Sequence, residues 1–235
     1  RANNGYQKKA SRHGALFVEI KENACERLAQ ELKTLQPRHV LIGSTTEVYQ
    51  QAEERTCLTR AILELLNEHD VSYTIMSKSA LIERDIDCIK QHPENTVYYT
   101  INTLDENVRT KLEPNASTVD ERIHALQRMA AAGIRVHVHV SPFLPILSDK
   151  EALIRTCAAH AASIGFENMN MKMIERASFM GLLKNAFPRV NDELTRIYEN
   201  NSAYVSYYDQ ERESIMELGQ RNGMAVKCFF YPFDS

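Results

Sequence analysis

No tryptophan occurs in the 235 residues, and glycine (8) and proline (7) are sparse. Collagenous, low-complexity and linker-rich chains need far more of both, so those classes are excluded. Cysteine is limited to Cys25, Cys57, Cys88, Cys157 and Cys228, and the nearest two are 31 positions apart (88 − 57). That is too far for the short spacings of a zinc or cluster loop, and scattered thiols fit a reducing, cytoplasmic setting. Neither charge dominates: 28 basic against 31 acidic residues give a net −3, without the surplus of a generic nucleic-acid binder. The cations of residues 1–12 read as a solvated tail. No apolar run reaches the roughly 18 residues of a membrane span, and no signal peptide is visible. The chain opens on Arg1 rather than methionine, so a fragment, a processed chain or the ordered part of something longer is expected.

What is present is an ordinary globular balance, 43% hydrophobic and 25% charged, in a chain long enough to bury about 70% of its unfolded surface without staples. Apolar runs alternate with helical patterns. Strands are predicted near 40–44, 72–78, 96–102, 135–141 and 168–174, and helices over 24–35, 54–66, 80–89, 119–132 and 149–164. Gly133 and Gly165 follow two of these helices, as left-handed caps. After Ile174 the pattern becomes mostly helical, broken at Pro188, with a helix ending at Gly223 and a last strand in MAVKCFFYPF. Such βα alternation implies a parallel sheet, as a barrel or an open doubly wound sheet.

One phase of the strands is unusually polar. It contains Ser72, Thr74, Met76 and Lys78; Tyr98, Thr100 and Asn102; His137, His139 and Ser141; and Asn168, Asn170 and Lys172. The opposite phase is apolar and includes Met169, Met171 and Met173. Parallel sheets are covered on both faces, so the polar phase predicts a wet or ligand-filled lumen and the Met stripe a helix-facing core. Ligands bind such folds at the carboxyl ends of strands, near Thr45, Glu47, Lys78, Asn102 and Ser141.

Longer motifs lie at those ends. GSTTEVYQQAEERTCLTRAILELL resembles the G-T-x-T-D-x-Y-Q-P-x-E-x-x-x-x-L-T-R stretch of radical S-adenosylmethionine (SAM) proteins related to spore photoproduct lyase. MSKSALIERDID is similar to that group's T-K-S-x-L-I-x-R-D, and TINTLDENVRTKLEP with the helix after it to its S-x-T-T-L-D-E and L-E-P segments. HVSPFLPILSD is similar to its V-x-P-x-x-P-x-x-x-D turn. The resemblance runs from about Phe17 to Ile174 and implies a partial (β/α)6 TIM-like barrel over residues 1–176, followed by a C-terminal helical and strand extension over 177–235. It also implies two cofactors, SAM and a [4Fe-4S] cluster. The cluster reduces SAM, and the resulting 5′-deoxyadenosyl radical abstracts hydrogen from a substrate. The substrate is unknown, nucleic acid being suggested by kinship, and an electron donor such as flavodoxin or ferredoxin is implied.

Carried over residue by residue, the resemblance implies that Glu47 lies near the SAM amino group, flanked by Thr45 and Thr46. Lys78 is implied as a partner for the SAM carboxylate, and Thr100 and Asn102 lie near ribose and carboxylate. Backbone at Ser141, Pro142 and Phe143 lies near adenine, while Glu113 and Arg122 brace the loop after the strand that carries Thr100 and Asn102. Departures are specific. The cluster loop Cys-x3-Cys-x2-Cys is absent from this chain and is expected upstream of Arg1. Thr100 replaces a serine and Glu47 an aspartate. Ser44 stands where photoproduct lyases carry a hydrogen-donor cysteine, which counts against photoproduct repair. No catalytic side chain is assigned.

Bland and rival readings stand beside this one. Glu47 and Lys78 could form a plain ion pair. His137 and His139 share a face as a metal pair would in a metal-dependent barrel hydrolase, but no third-ligand motif accompanies them. Tyr204, Tyr207 and Tyr208 read as a packed helix or turn rather than a nucleobase platform. A cluster-less barrel that binds an adenosyl ligand or a partner protein is the non-enzymatic alternative.

Overall fold

A computed structural model describes residues 18–171 and 175–232. The chain divides into two compact units, residues 1–36 and 37–235. In the first, helix α1 (Ala24–Leu35) follows the sequence expectation and ends at Gln36 in a left-handed conformation.

The second unit is built on six parallel strands in sequential order: β1 (His39–Ile42), β2 (Ser72–Ser77), β3 (Thr96–Thr100), β4 (Arg135–Val140), β5 (Ser163–Glu167) and β6 (Val226–Phe229). Between β1 and β2 lie α2 (Glu53–Thr56) and α3 (Leu58–Glu68), separated at Cys57, whose φ is 48°. A 3-10 turn (Ala80–Asp85) and α4 (Ile86–Ile89) join β2 to β3; α5 (Glu106–Leu112) and α6 (Val119–Ala131) join β3 to β4; α7 (Lys150–Cys157) joins β4 to β5. Then α8 (Arg176–Ala186), α9 (Asn191–Ile197) and α10 (Asn201–Arg221) precede β6. This is a partial (β/α)6 barrel of the TIM type, in which β1 and β6 are each paired on one side only among the described residues.

Local chemistry explains the elements. Thr118 and Glu121 form a reciprocal capping box at the start of α6, and Gly133 follows its end at φ 79°. The outer phase of the strands is the core: Tyr73, Ile75, Val97, Tyr99, Val136, Val138, Val140, Ile164 and Phe166 are buried against the helix layer. The inner phase is polar and half-buried. His39 bonds Ser72 and Thr74 at 2.8 Å each, Thr74 bonds Thr96 at 2.8 Å, and His137 bonds Ser163 at 2.7 Å.

The fifth strand lies earlier than the sequence pattern predicts. Helix α7 stops at Cys157, residues 163–167 form β5, and Gly165 lies inside that strand rather than at a helix cap. The alanine-rich run after Cys157 carries helical propensity, but Ala162 N–H is claimed by the Val136 carbonyl at 2.8 Å. Pairing with β4 thus overrides the local preference. Asn168 and Asn170 accordingly fall beyond the strand. Asn168 is buried and bonds the backbone of Tyr231 in both directions, at 2.9 and 3.1 Å. Met169 is not on a strand either, Met171 is buried, and Lys172 and Met173 lie outside the described residues. Tyr204 and Tyr208 are buried on α10, in an aromatic cluster with Phe143, Tyr198 and Phe230.

Candidate functional site

The site is built on the chain segments just beyond the carboxyl ends of β1 to β5. Gly43 closes β1 at φ 86°, and a Cβ there would lie 2.5 Å from the Met76 carbonyl oxygen, so only glycine lets β1 turn this close to β2. The loop it starts folds back through Glu47. One carboxylate oxygen of Glu47 accepts Tyr49 N–H at 2.9 Å and the Ser77 hydroxyl at 2.8 Å; the other accepts Lys78 N–H at 2.8 Å. Glu47 therefore fastens the β1 loop to the end of β2.

A charged brace holds that loop from below. Glu53 caps α3 by accepting Thr59 N–H at 3.0 Å, and Arg84 reaches Glu53 at 2.7 Å. Asp85, fully buried, takes Arg84 at 2.8 Å and Arg60 at 3.2 Å. Arg60 continues to Asp87 at 2.8 Å, which holds the Asp87 carboxyl below its usual range. Arg60, Arg84 and Asp85 are the charged positions of the L-T-R and L-I-x-R-D motifs, and they are bonded to one another and to Glu53 and Asp87.

Lys78 does not pair with Glu47 through its ammonium. Its Nζ lies 2.5 Å from Glu113 Oε1, and Arg122 takes the other oxygen of Glu113 at 2.7 Å. Burial pushes the Glu113 carboxyl up, but the charges and hydrogen bonds of Lys78 and Arg122 outweigh it and leave the group below its usual range. The Asn102 amide also donates to Glu113 Oε1, at 3.4 Å, while its oxygen accepts Ser141 N–H at 3.2 Å. Ser141 O–H donates to Glu167 Oε2 at 2.7 Å, and His139 Nε2 lies 3.0 Å from the same oxygen. A continuous hydrogen-bonded chain thus runs across the strand ends from Glu47 to His139.

Of the residues singled out from sequence, Glu47, Lys78, Asn102 and Ser141 are members of this chain. Thr100 lies on the same inner face, half-buried, one pleat below Asn102. Thr45 and Thr46 are exposed on the β1 loop and take no part in the chain. Phe143 is buried with its ring against Phe166, 5.4 Å between centroids. Its N–H is held by the Glu167 carbonyl at 2.6 Å and its carbonyl by the Tyr208 hydroxyl at 2.9 Å. Sequence reading missed Glu167, because it carried the preceding helix to Ile164. It named Glu113 only as a loop brace, whereas Glu113 is the partner of Lys78.

The donor set suits a zwitterion of the α-amino-acid kind. Lys78, Arg122 and Glu113 together leave one positive charge beside the Asn102 amide, and Glu47 places one negative charge on the other side of the Ser77–Lys78 backbone. Glu47 retains acceptor capacity and Lys78 retains donors, which the amino and carboxylate groups of SAM require. A [4Fe-4S] cluster does not fit this chain. Among the described residues no group of three His, Cys, Asp or Glu could hold a metal ion, and the five cysteines are far apart in sequence. Nor is any helix among them long and apolar enough to cross a membrane.

A parallel six-stranded βα barrel with a polar, charge-paired site at its strand ends defines the class, an α/β barrel of the TIM type. Comparison makes the class specific. Residues 10–156 match the model of the Radical SAM superfamily, well over half of the chain, and the chain belongs to that superfamily. It is 29% identical over 188 residues to an uncharacterised protein of Methanocaldococcus jannaschii, covering 80% of this chain and 68% of that protein. Over 212 residues it is 26% identical to an uncharacterised protein of Mycobacterium tuberculosis, covering 86% of this chain and 62% of that one. Among solved structures, a spore photoproduct lyase variant with bound AdoMet and dinucleoside spore photoproduct superposes with a TM-score of 0.62. Its sequence identity is 12%, and the match covers 88% of this chain and 67% of that one. That likeness shows a shared fold.

Proposed function

We propose that this chain is the SAM-binding core of a radical enzyme, with Glu47 receiving the amino group of SAM and Lys78 and Asn102 its carboxylate. The observation that carries this reading is the pair of opposed charges described above, Glu47 on one side of the Ser77–Lys78 backbone and Lys78 with Arg122 and Glu113 on the other. Bound SAM supplies a 5′-deoxyadenosyl group for hydrogen abstraction once it is reduced. The reducing [4Fe-4S] cluster of the superfamily is not held by this chain's cysteines. The chain's own part is to bind and orient: the Glu47 staple fixes the amino end, the Glu113 bridge aims Lys78, and the polar inner face receives the rest of the ligand. Thr100 and the exposed hydroxyls of Thr45 and Thr46 are the further hydrogen-bonding groups at the strand ends.

For substrate, kinship with a lyase that holds a dinucleoside photoproduct makes a nucleic-acid component the first class to test. Ser44, where the lyases carry a hydrogen-donor cysteine, argues for a reaction other than photoproduct repair. A binding module without radical chemistry is the second reading, favoured by the cysteine spacing alone.

Calorimetric titration with SAM and with S-adenosylhomocysteine tests the assignment. Glu47→Gln and Lys78→Ala each weaken binding by about tenfold or more, as loss of a charged hydrogen-bond partner does. Unchanged affinity in both variants refutes it. Formation of 5′-deoxyadenosine by the cluster-loaded full-length protein separates the enzyme from the binding module.

A further inference from the structure

The two histidines on the inner face of β4 have different partners. His137 Nδ1 is bound to the Ser163 hydroxyl at 2.7 Å, and its ring packs against Tyr98 with centroids 5.0 Å apart. Burial first, then the charges of Arg135 and Lys227, hold His137 below its usual range, which leaves it neutral. His139 instead meets a carboxylate. Its Nε2 lies 3.0 Å from Glu167 Oε2, and that oxygen also accepts the Ser141 hydroxyl at 2.7 Å. The His139 bond, reinforced by Ser141, lowers Glu167 despite its partial burial, so the carboxyl is ionised at neutral pH. An ionised carboxylate only accepts, so Nε2 of His139 carries a proton in either charge state and the neutral ring has its lone pair on Nδ1.

Gly165 makes room for that nitrogen. It registers with His139 across the β4–β5 pair, and a Cβ there would sit 3.3 Å from His139 Nδ1 and 3.3 Å from the Phe229 ring. The charged and titratable groups facing His139 are Tyr98 from β3, His137 from β4, Glu167 from β5 and Lys227 from β6, registered on Gly165. Among them Glu167 is the one anion and the direct partner. The His139 side chain keeps 14% of its surface exposed and Glu167 33%, so the pair is partly accessible.

We propose that His139, oriented by Glu167 and Ser141, is a proton-accepting residue of the lumen, acting at Nδ1 on an N–H or O–H group of the substrate. The proposal deepens the reading of this barrel as a reaction chamber and rests on it. The proton passes from the substrate heteroatom to Nδ1, and the electron pair of the broken bond stays on that heteroatom. The imidazolium charge is balanced by Glu167, and the proton leaves later to solvent. No oxidant or reductant enters the step. The same carboxylate-oriented imidazole serves as a general base in many enzymes.

Two measurements on the full chain test this, and neither needs SAM. Imidazole nitrogen NMR of the wild type shows His139 as a single Nε2–H tautomer, and in Glu167→Gln the tautomers mix. Diethyl pyrocarbonate, which attacks an unprotonated imidazole nitrogen, modifies His139, and Glu167→Gln slows that modification severalfold. A proton found on Nδ1 in the wild type overturns the proposal. So does a His139 that stays unmodified while the exposed His69 and His124 react. The wild-type readings stand if Glu167→Gln does not fold. Failed SAM binding with both His139 results intact refutes the cofactor assignment alone, and the reverse pattern refutes this proposal alone.

Discussion

Glu47 and Lys78, 31 residues apart, meet through a carboxylate oxygen and a backbone N–H at 2.8 Å, while the Lys78 ammonium turns to Glu113 at 2.5 Å. A single lysine thus links two acids by two different atoms. Glu47 acts as a staple between strand ends, and Glu113 sets where the Lys78 charge is presented.

The staple has a stability consequence separate from ligand binding. Glu47→Ala removes the acceptor for two backbone N–H groups and one hydroxyl, and costs roughly 1–3 kcal/mol. Urea denaturation without ligand measures it. A loss under a few tenths of a kcal/mol means that water replaces the carboxylate freely.

Asp85 is fully buried between Arg60 and Arg84, whereas Asp87 is an exposed partner of Arg60. Asp85→Ala removes the fully buried acceptor that Arg84 and Arg60 share, while leaving them Glu53 and Asp87 as partners, and costs roughly 1–3 kcal/mol. Asp87→Ala costs about 1 kcal/mol or less. Thermal melts of the two variants should differ plainly; equal melts refute the brace as described.

Gly43 and Gly133 both have positive φ, but only Gly43 faces a wall. Gly133→Ala meets nothing within 4 Å and costs about 1–2 kcal/mol of left-handed strain. Gly43→Ala adds a contact of 2.5 Å with the Met76 carbonyl and costs roughly 2–5 kcal/mol, with the β1 loop displaced. Comparable stabilities for the two variants would remove the close-approach argument.

Glu113 gives a pH test with a definite sign. Its carboxyl is lowered in the folded state, so on acidification the unfolded chain takes up a proton first, near the ordinary value of 4.5. The stability it contributes is present above that pH and is lost as pH falls through the lowered folded value. The stability gap between wild type and Glu113→Gln therefore narrows from pH 7 to below pH 4. A gap independent of pH refutes the ionised bridge to Lys78 and Arg122.

Thiol chemistry sorts the cysteines by burial. Desolvation pushes Cys157 up to about 12 and Cys88 to about 11, and both are buried, whereas Cys57 is exposed on the α2–α3 break. Iodoacetamide at pH 8 labels Cys57 first and leaves Cys157 unmodified until the chain unfolds. Early labelling of Cys157 would mean that α7 opens locally.

The alternation of βα units, the helix over 24–35 and the polar phase of β2, β3 and β4 were legible because a period of two or of 3.6 is a local property of the chain. The long motifs marked Glu47, Lys78, Asn102 and Ser141 together. What could not be read was which polar group would find which partner. The helical tendency of the run after Cys157 hid β5, and with it Glu167, until pairing with β4 decided the register.

Sequence alone determined the superfamily, the order of the elements and the polarity of the inner face, since each depends on which residues follow one another. Tertiary structure decided that the Lys78 ammonium bonds Glu113 rather than Glu47, that Phe143 turns its ring into the aromatic cluster, and that two histidines two residues apart meet a serine and a carboxylate. Those outcomes depend on distances between strands distant in sequence. Electrostatic and hydrogen-bond energies fall off within a few ångströms, so only the folded sheet selects among partners that the chain presents as equals.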